Sequence, residues 1–266
     1  MRKAFPFSAI VGQTEMKQAL LMAAVEPRLG GVMVFGDRGT GKSTAVRALA
    51  ALLPPMMVVP GCRYSCAPAD STPCFEGCRA RAGKHVEQVP VPFIDLPLGA
   101  TEDRVVGSGN PEEGELRPQL LDRFGLSVDV RTPTDIADRI EIVKRCDAFD
   151  RHPEEFCERF ETAEADVLNQ IATARKKLPK VDVPDSILEL GTRLCQAVGA
   201  DGLRGELTLL RAARATAALA GKKHVHPHHV GAVAALALRH RMRKNVLDDT
   251  GSTARIDRAV AELIPA

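Results

Sequence analysis

Residues 36–43 read Gly36-Asp37-Arg38-Gly39-Thr40-Gly41-Lys42-Ser43 and meet the pattern GxxxxGK[ST] at every fixed position. Residue types at this spacing bind phosphate. Glycines let successive backbone N–H groups turn inward around phosphate oxygens, and the first turn of a following helix adds unpaired donors and the positive end of its dipole. Lys42 would set its ammonium against the β and γ phosphates of a nucleotide, and the Ser43 hydroxyl would take one position on Mg²⁺; Thr44 completes the nucleotide-binding set. The competing reading is a glycine turn entering an ordinary helix. The full eight-residue pattern is far rarer by chance than a lone GxGxxG, so nucleotide binding is preferred.

The elements that must position this loop are legible on either side of it. Gly31 to Phe35 is a short apolar run bounded by glycine, as expected of a buried parallel strand, and Thr44 to Leu53 is rich in alanine and leucine and suits a helix. Upstream, Thr14 to Val25 has helical spacing. The loop before it, with Ile10, Val11 and Gly12, either covers an adenine ring or simply packs. Downstream, paired prolines stop the helix, and Met56 to Val59 and Val89 to Leu98 read as strands. Leu126 to Val130 alternates as a strand should. A helix is then expected from Thr132 towards Phe149, with Thr134 as its N-cap. From about residue 151 the pattern is wholly helical, with helices over 154–178, 186–198, 203–220 and 227–243 and a short one near the end.

A second group of chemistry-bearing residues lies in an insert over 60–85. Cys62-x₃-Cys66 and Cys74-x₃-Cys78 stand seven residues apart. Four thiolates could hold a structural Zn²⁺, although such sites more often use two-residue spacing; a redox-labile dithiol loop and four inert thiols are the other readings. Cys146, Cys157 and Cys195 lie in helical patterns and read as small core residues. His224, His226, His228 and His229 bunch before the last long helix, but no carboxylate or thiolate is near them in sequence, so a solvated loop is preferred to a metal site.

The totals exclude several classes. With 36 basic and 34 acidic residues among 266, the net charge of +2 gives no case for nucleic acid or a membrane surface. The chain has no Trp and one Tyr, Tyr64, so no stacking platform for single strands is expected. No apolar run reaches the length of a membrane span and the N-terminus lacks a secretion-signal core, which points to a cytoplasmic protein.

The stretches FPFSAIVGQ, GDRGTGKSTAVRALAALLP, DLPLGATEDRVVG, GSGNPEEGELRPQLLDRFGLSVDV, DGLRGELTLLRAARA and LALRHRMR together resemble the AAA+ ATPases, and more narrowly the ATPase (I) subunits of magnesium chelatase. The resemblance runs from Phe5 to the end. It implies an α/β fold, with an AAA+ P-loop parallel-sheet domain over 1–150 and an all-α lid domain over 151–266. It implies ATP and Mg²⁺ as cofactors, a homo-oligomeric ring, most simply a hexamer, and the other magnesium chelatase subunits as partners. Hydrolysis in such rings powers insertion of Mg²⁺ into protoporphyrin IX, toward chlorophyll or bacteriochlorophyll. By the resemblance Asn110 is the sensor-1 residue that reads the γ-phosphate, Arg123 in LLDRFG is the arginine finger reaching a neighbour's nucleotide, and Arg204 in GLRGE is sensor 2. A guanidinium fork suits the equatorial oxygens of a phosphoryl group in transfer. Without the family, Arg117, Arg123 and Arg204 read as surface ion pairs.

One departure stands out. A P-loop ATPase needs an Asp-Glu pair ending a neighbouring apolar strand, and none occurs between Phe93 and Asn110. In the family, DRVVG and GSGNPEEG are separated by helices, a strand with that pair and a hairpin; here they abut at Gly107 and Ser108. A parallel strand needs a crossover of about a dozen residues or more, so an internal piece of several tens of residues is absent from the sequence or deleted from the protein. The missing pair supports a second function, a ring-assembly module that binds nucleotide without hydrolysing it. A third alternative, independent of that gap, is a MoxR-like metal-insertion chaperone.

Overall fold

The computed structural model describes residues 3–37, 39–68, 74, 86–93, 123–200, 202–242 and 251–264. The phosphate loop's upstream run forms β1 (Val32–Gly36), and the loop enters α2 (Lys42–Leu52), which begins two residues earlier than its alanine-rich pattern suggested. β1 pairs in parallel with β4 (Leu126–Val130), in the register Val32 opposite Leu126 through Gly36 opposite Val130. β4 does not alternate in burial: Leu126, Ser127, Val128 and Val130 are buried and Asp129 is exposed. Helices cover it on more than one side. α1 (Thr14–Val25) packs against it, as does a helix from near the C-terminus.

The remaining strands form a separate antiparallel ribbon of β2 (Met56–Val58) and β3 (Glu87–Val89). The strand expected over Val89 to Leu98 therefore ends where it was expected to begin. Pro90 and Pro92 lack the N–H that a ladder needs, so the chain leaves the ribbon at Val89. Residues beyond 93 in that expectation lie outside the described residues.

After β4 the chain is helical, with α3 (Ile136–Arg151), α4 (Pro153–Lys177), α5 (Asp185–Val198), α6 (Arg204–Leu219), α7 (Pro227–Leu238) and α8 (Ser252–Leu263). The cap of α3 is Asp135 rather than Thr134: its carboxylate accepts the Ala137 N–H at 2.7 Å. α7 ends about five residues short of its expected limit. α6 and α7 pack against each other, and both bury small residues: Ala212, Ala213, Ala217, Ala234 and Ala237 are all fully buried. α7 is the C-terminal helix that packs on β4, and α6 packs on α1, so one apolar core runs from the strands into the helices.

The histidine and cysteine expectations are corrected in part. His226 and His228 are exposed, but His229 is buried; its Nδ1 accepts the His226 N–H at 3.0 Å and closes the first turn of α7. Burial first, then the neighbouring His228 and His226, push its pKa down to about 4. Cys195 is a core residue, with burial raising its thiol to about 12. Cys157 is half-buried and Cys146 is exposed, because α3 buries none of its residues.

Candidate functional site

The phosphate loop is held at the C-terminal end of β1 by backbone geometry. Gly36 has φ 126°, and a Cβ there would lie 1.8 Å from the Val130 carbonyl oxygen, so only glycine lets β4 pass this close. Across the same gap the Asp37 carboxylate accepts from the Thr132 N–H at 3.3 Å and from the Thr132 hydroxyl at 3.1 Å. The strand beside β1 thus braces the loop where it begins, at Gly36 and Asp37.

The groups that could hold phosphate lie together in the loop and the first turn of α2. Gly41 caps α2 in the left-handed region (φ 81°) and supplies no side chain, leaving the helix's first N–H groups for an anion. The Lys42 ammonium folds over the loop and donates to the Gly36 and Asp37 carbonyls at 2.7 and 2.5 Å and to the Thr40 hydroxyl at 3.4 Å. Thr40 in turn donates to the Asp37 carbonyl at 2.9 Å. Ser43 and Thr44 are exposed at the start of α2, where a hydroxyl can reach Mg²⁺. Arg38 lies outside the described residues.

These residues form one wall of a cavity of about 530 Å³. Phe5, Ala9, Ile10 and Val11 line it with apolar side chains, and Ile10 also packs against the core, so lining and packing go together in this loop. The loop is tied down from outside. Ser8 donates its N–H to Glu164 at 2.6 Å, Lys17 reaches the Ile10 carbonyl at 3.0 Å and Arg145 reaches the Ala9 carbonyl at 2.9 Å. Phe5 packs with Phe149 and Phe156, with ring centroids 5.2 and 5.4 Å away. Burial, and secondarily Arg145, lowers the Lys17 pKa.

The third wall was not read from the sequence: Thr132, Pro133, Arg139, Arg145 and Cys146 reach the cavity from the turn after β4 and from α3. A usable signal existed. In open parallel sheets, ligands bind beyond the carboxyl ends of the strands, and Thr132-Pro133 follows the strand next to the loop.

The expected arginines do not line this cavity. Arg123 is exposed and precedes β4, at the opposite end of a parallel pair from the loop after Gly36. Four strand residues span roughly 13 Å, beyond an arginine's reach to its own loop. Its segment is fixed by the turn that follows α7: Arg241 donates to the Phe124 carbonyl at 2.7 Å, and His240 Nε2 lies 3.0 Å from the same oxygen. Arg204 is exposed at the start of α6. Asn110 and Arg117 lie outside the described residues, as does the junction at 107/108. Of the cysteines in the insert, Cys62, Cys66 and Cys74 come together, their sulfurs all within 4.8 Å of one another; Cys78 lies outside the described residues.

Comparison with known proteins fits this geometry. The family model described as AAA lid domain matches residues 188–260. The magnesium-chelatase 38 kDa subunit of Acidiphilium rubrum is 48% identical, with 97% of each chain covered. The subunit of the same name from Rhodobacter capsulatus is 44% identical, covering 99% of this chain and 95% of that one. A crystal structure of a putative ATPase from Cytophaga hutchinsonii is similar in fold, with a TM-score of 0.58 at 20% identity over 95% of this chain. The first alignment spans 334 positions, whereas 97% of 266 residues is about 258. Roughly 76 positions thus have no counterpart in this chain, a length that accommodates the crossover missing from the sequence.

Proposed function

From the premise that this chain belongs to the magnesium-chelatase 38 kDa subunit family of AAA+ ATPases, we propose that it is the ATP-hydrolysing motor subunit of a magnesium chelatase, driving Mg²⁺ into protoporphyrin IX. The observation that carries the proposal is the complete phosphate loop, with Lys42 and the uncapped start of α2 lining a cavity together with the apolar Phe5, Ile10 and Val11. Polar donors suit the triphosphate and the apolar loop suits the base.

In this reading the backbone of Gly39, Thr40 and Gly41 wraps the phosphates, and Lys42 exchanges its loop carbonyls for β and γ oxygens. Ser43 supplies a hydroxyl to Mg²⁺, and Arg38 and Asp37 complete the loop. Arg123 acts on a neighbouring subunit's nucleotide, supported by its exposure and its distance from its own loop. Arg204 acts as sensor 2 and Asn110 as sensor 1. A hexameric ring is part of the proposal. Its support is the exposed Ile136 and Ile140 at helical spacing on α3, next to Val143 at the edge of the nucleotide cavity, where a subunit interface would bury them. The other chelatase subunits are the partners, and a cytoplasmic setting supplies the ATP. No helix among the described residues is long and apolar enough to cross a membrane. The cysteine insert adds a separate metal expectation, structural Zn²⁺, that ATP chemistry does not need.

A second reading, a ring module that binds nucleotide without turnover, is favoured by the missing Asp-Glu strand and the alignment positions without counterpart. Equilibrium MgATP binding and steady-state phosphate release, measured together, separate the two. The motor predicts both, with Lys42→Ala weakening binding by about a hundredfold, near 2.7 kcal/mol. Binding without release establishes the assembly module instead. Retention of full affinity by Lys42→Ala defeats both readings.

A further inference from the structure

We propose that Cys62, Cys66 and Cys74 form a thiolate site for a zinc-class divalent metal ion, and that this metal takes the place of a hydrophobic core in the lobe beyond β2 and β3. The proposal stands apart from the nucleotide chemistry.

The spacing of the sulfurs is the first observation. Tetrahedral Zn²⁺ holds thiolates at about 2.3 Å, which places ligand sulfurs about 3.8 Å apart. Cys62 and Cys74 Sγ are 3.7 Å apart and all three sulfurs lie within 4.8 Å of each other. A disulfide would need about 2.05 Å and would leave the third thiol over.

The second observation is that the backbone is folded to present two of the three. Val59 to Cys62 is a Pro-Gly turn, with Gly61 at φ 65° and the Cys62 N–H donating to the Val59 carbonyl at 3.1 Å. Cys62 to Ser65 is a second turn, with the Ser65 N–H donating to the Cys62 carbonyl at 3.1 Å and Ser65 itself at φ 49°. The Val59 N–H donates to the Cys66 carbonyl at 2.9 Å and closes the ring. A non-glycine residue in the left-handed region is costly, and it persists where the surroundings fix it. Two turns in series bring positions 62 and 66 back to one side, as a metal knuckle requires.

The third observation is what the lobe lacks. Of its described residues only Val58 and Val59 are buried apolar side chains, while Met57, Tyr64 and Val86 are exposed. A small lobe whose described residues bury so little apolar surface gains most from a staple. Metal binding supplies one, because ligands that converge only in the folded chain turn binding free energy into folding free energy. Three sulfurs reject the hard Mg²⁺ that serves the nucleotide and select a softer ion.

On binding, three S–H bonds break, three metal–sulfur bonds form and three protons pass to solvent; no electron is transferred. The fourth position is open to water or another donor.

The test is the zinc content of the full-length chain, purified under reducing conditions without chelator, measured by plasma mass spectrometry. One equivalent per chain is expected. It should fall at least tenfold in a Cys62→Ser/Cys74→Ser double variant, and Co²⁺ substituted into the parent should give a thiolate-to-cobalt charge-transfer band. Metal-free parent protein with no cobalt band overturns the proposal. So does metal retained by the double variant, or a Cys62–Cys74 disulfide found by peptide mapping of the isolated protein. MgATP binding, measured on the same samples, reports on the nucleotide site alone.

Discussion

In the helical region α6 and α7 meet along fully buried alanines, with Leu209, Leu194 and Leu236 filling the space around them. At the phosphate loop Gly39, Gly41, Ser43 and Thr44 are all exposed, and shape comes from positive φ angles and carbonyl contacts instead. The contrast separates two ways of making a rigid surface. A packed helical layer spreads its stability over many dispersion contacts, so any one substitution there is felt as lost volume. The loop concentrates its constraint in a few backbone positions, so one added methyl group can remove its shape.

The sharpest way to break the comparison is Gly36→Ala. Its Cβ would meet the Val130 carbonyl oxygen at 1.8 Å, in a backbone conformation that alanine disfavours. A loss of more than about 4 kcal/mol is expected, with MgATP binding abolished; urea unfolding and calorimetric titration measure the two. Leu209→Ala should cost about 3 kcal/mol by opening a cavity in α6, while the protein that remains folded binds MgATP with unchanged affinity. If Leu209→Ala also weakens binding tenfold, the two regions are coupled and the contrast is too simple.

A smaller effect comes from His229. Its folded pKa near 4 lies below the ordinary 6.5, so it stays neutral when folded and gains a proton on unfolding in acid. Its contribution is therefore fully present above about pH 6.5 and is lost as pH falls toward 4, a change of roughly 2–3 kcal/mol. Unfolding free energies from urea titrations at pH 7.5 and 4.5 should differ by that much more in the parent than in His229→Gln. The smallest expected effect is at the cap of α3, where Asp135→Ala removes the bond to the Ala137 N–H and should cost about 1 kcal/mol in the same assay.

Legibility followed the same division. β1, α2 and the long helices were readable because each is specified by local pattern and by the residues that stop it: Gly31, the paired Pro54 and Pro55, and Pro184. The phosphate loop was readable for the same reason, since eight consecutive residues carry its geometry. The strand placed at Val89 to Leu98 is not formed over its described residues 90–93, because apolar content outweighed Pro90 and Pro92, although a ladder depends on the N–H groups that proline lacks. Cys146 was assigned to the core by helical spacing, which cannot say whether a helix has a partner on that side. His229 went unread as a cap because its ring answers a backbone group three residues back rather than another ligand.

The sequence by itself determined that this chain carries a complete phosphate-loop pattern between a strand and a helix and that a helical region follows, because both features are written in short contiguous runs whose physics is local. The tertiary structure decided what stands opposite the loop. It set the first residues of the chain and α3 around one cavity, sent Arg123 to the far end of a parallel pair, and gathered three sulfurs across two turns. Those outcomes depend on which elements pack together over long separations in the chain, and no run of neighbouring residues carries that information.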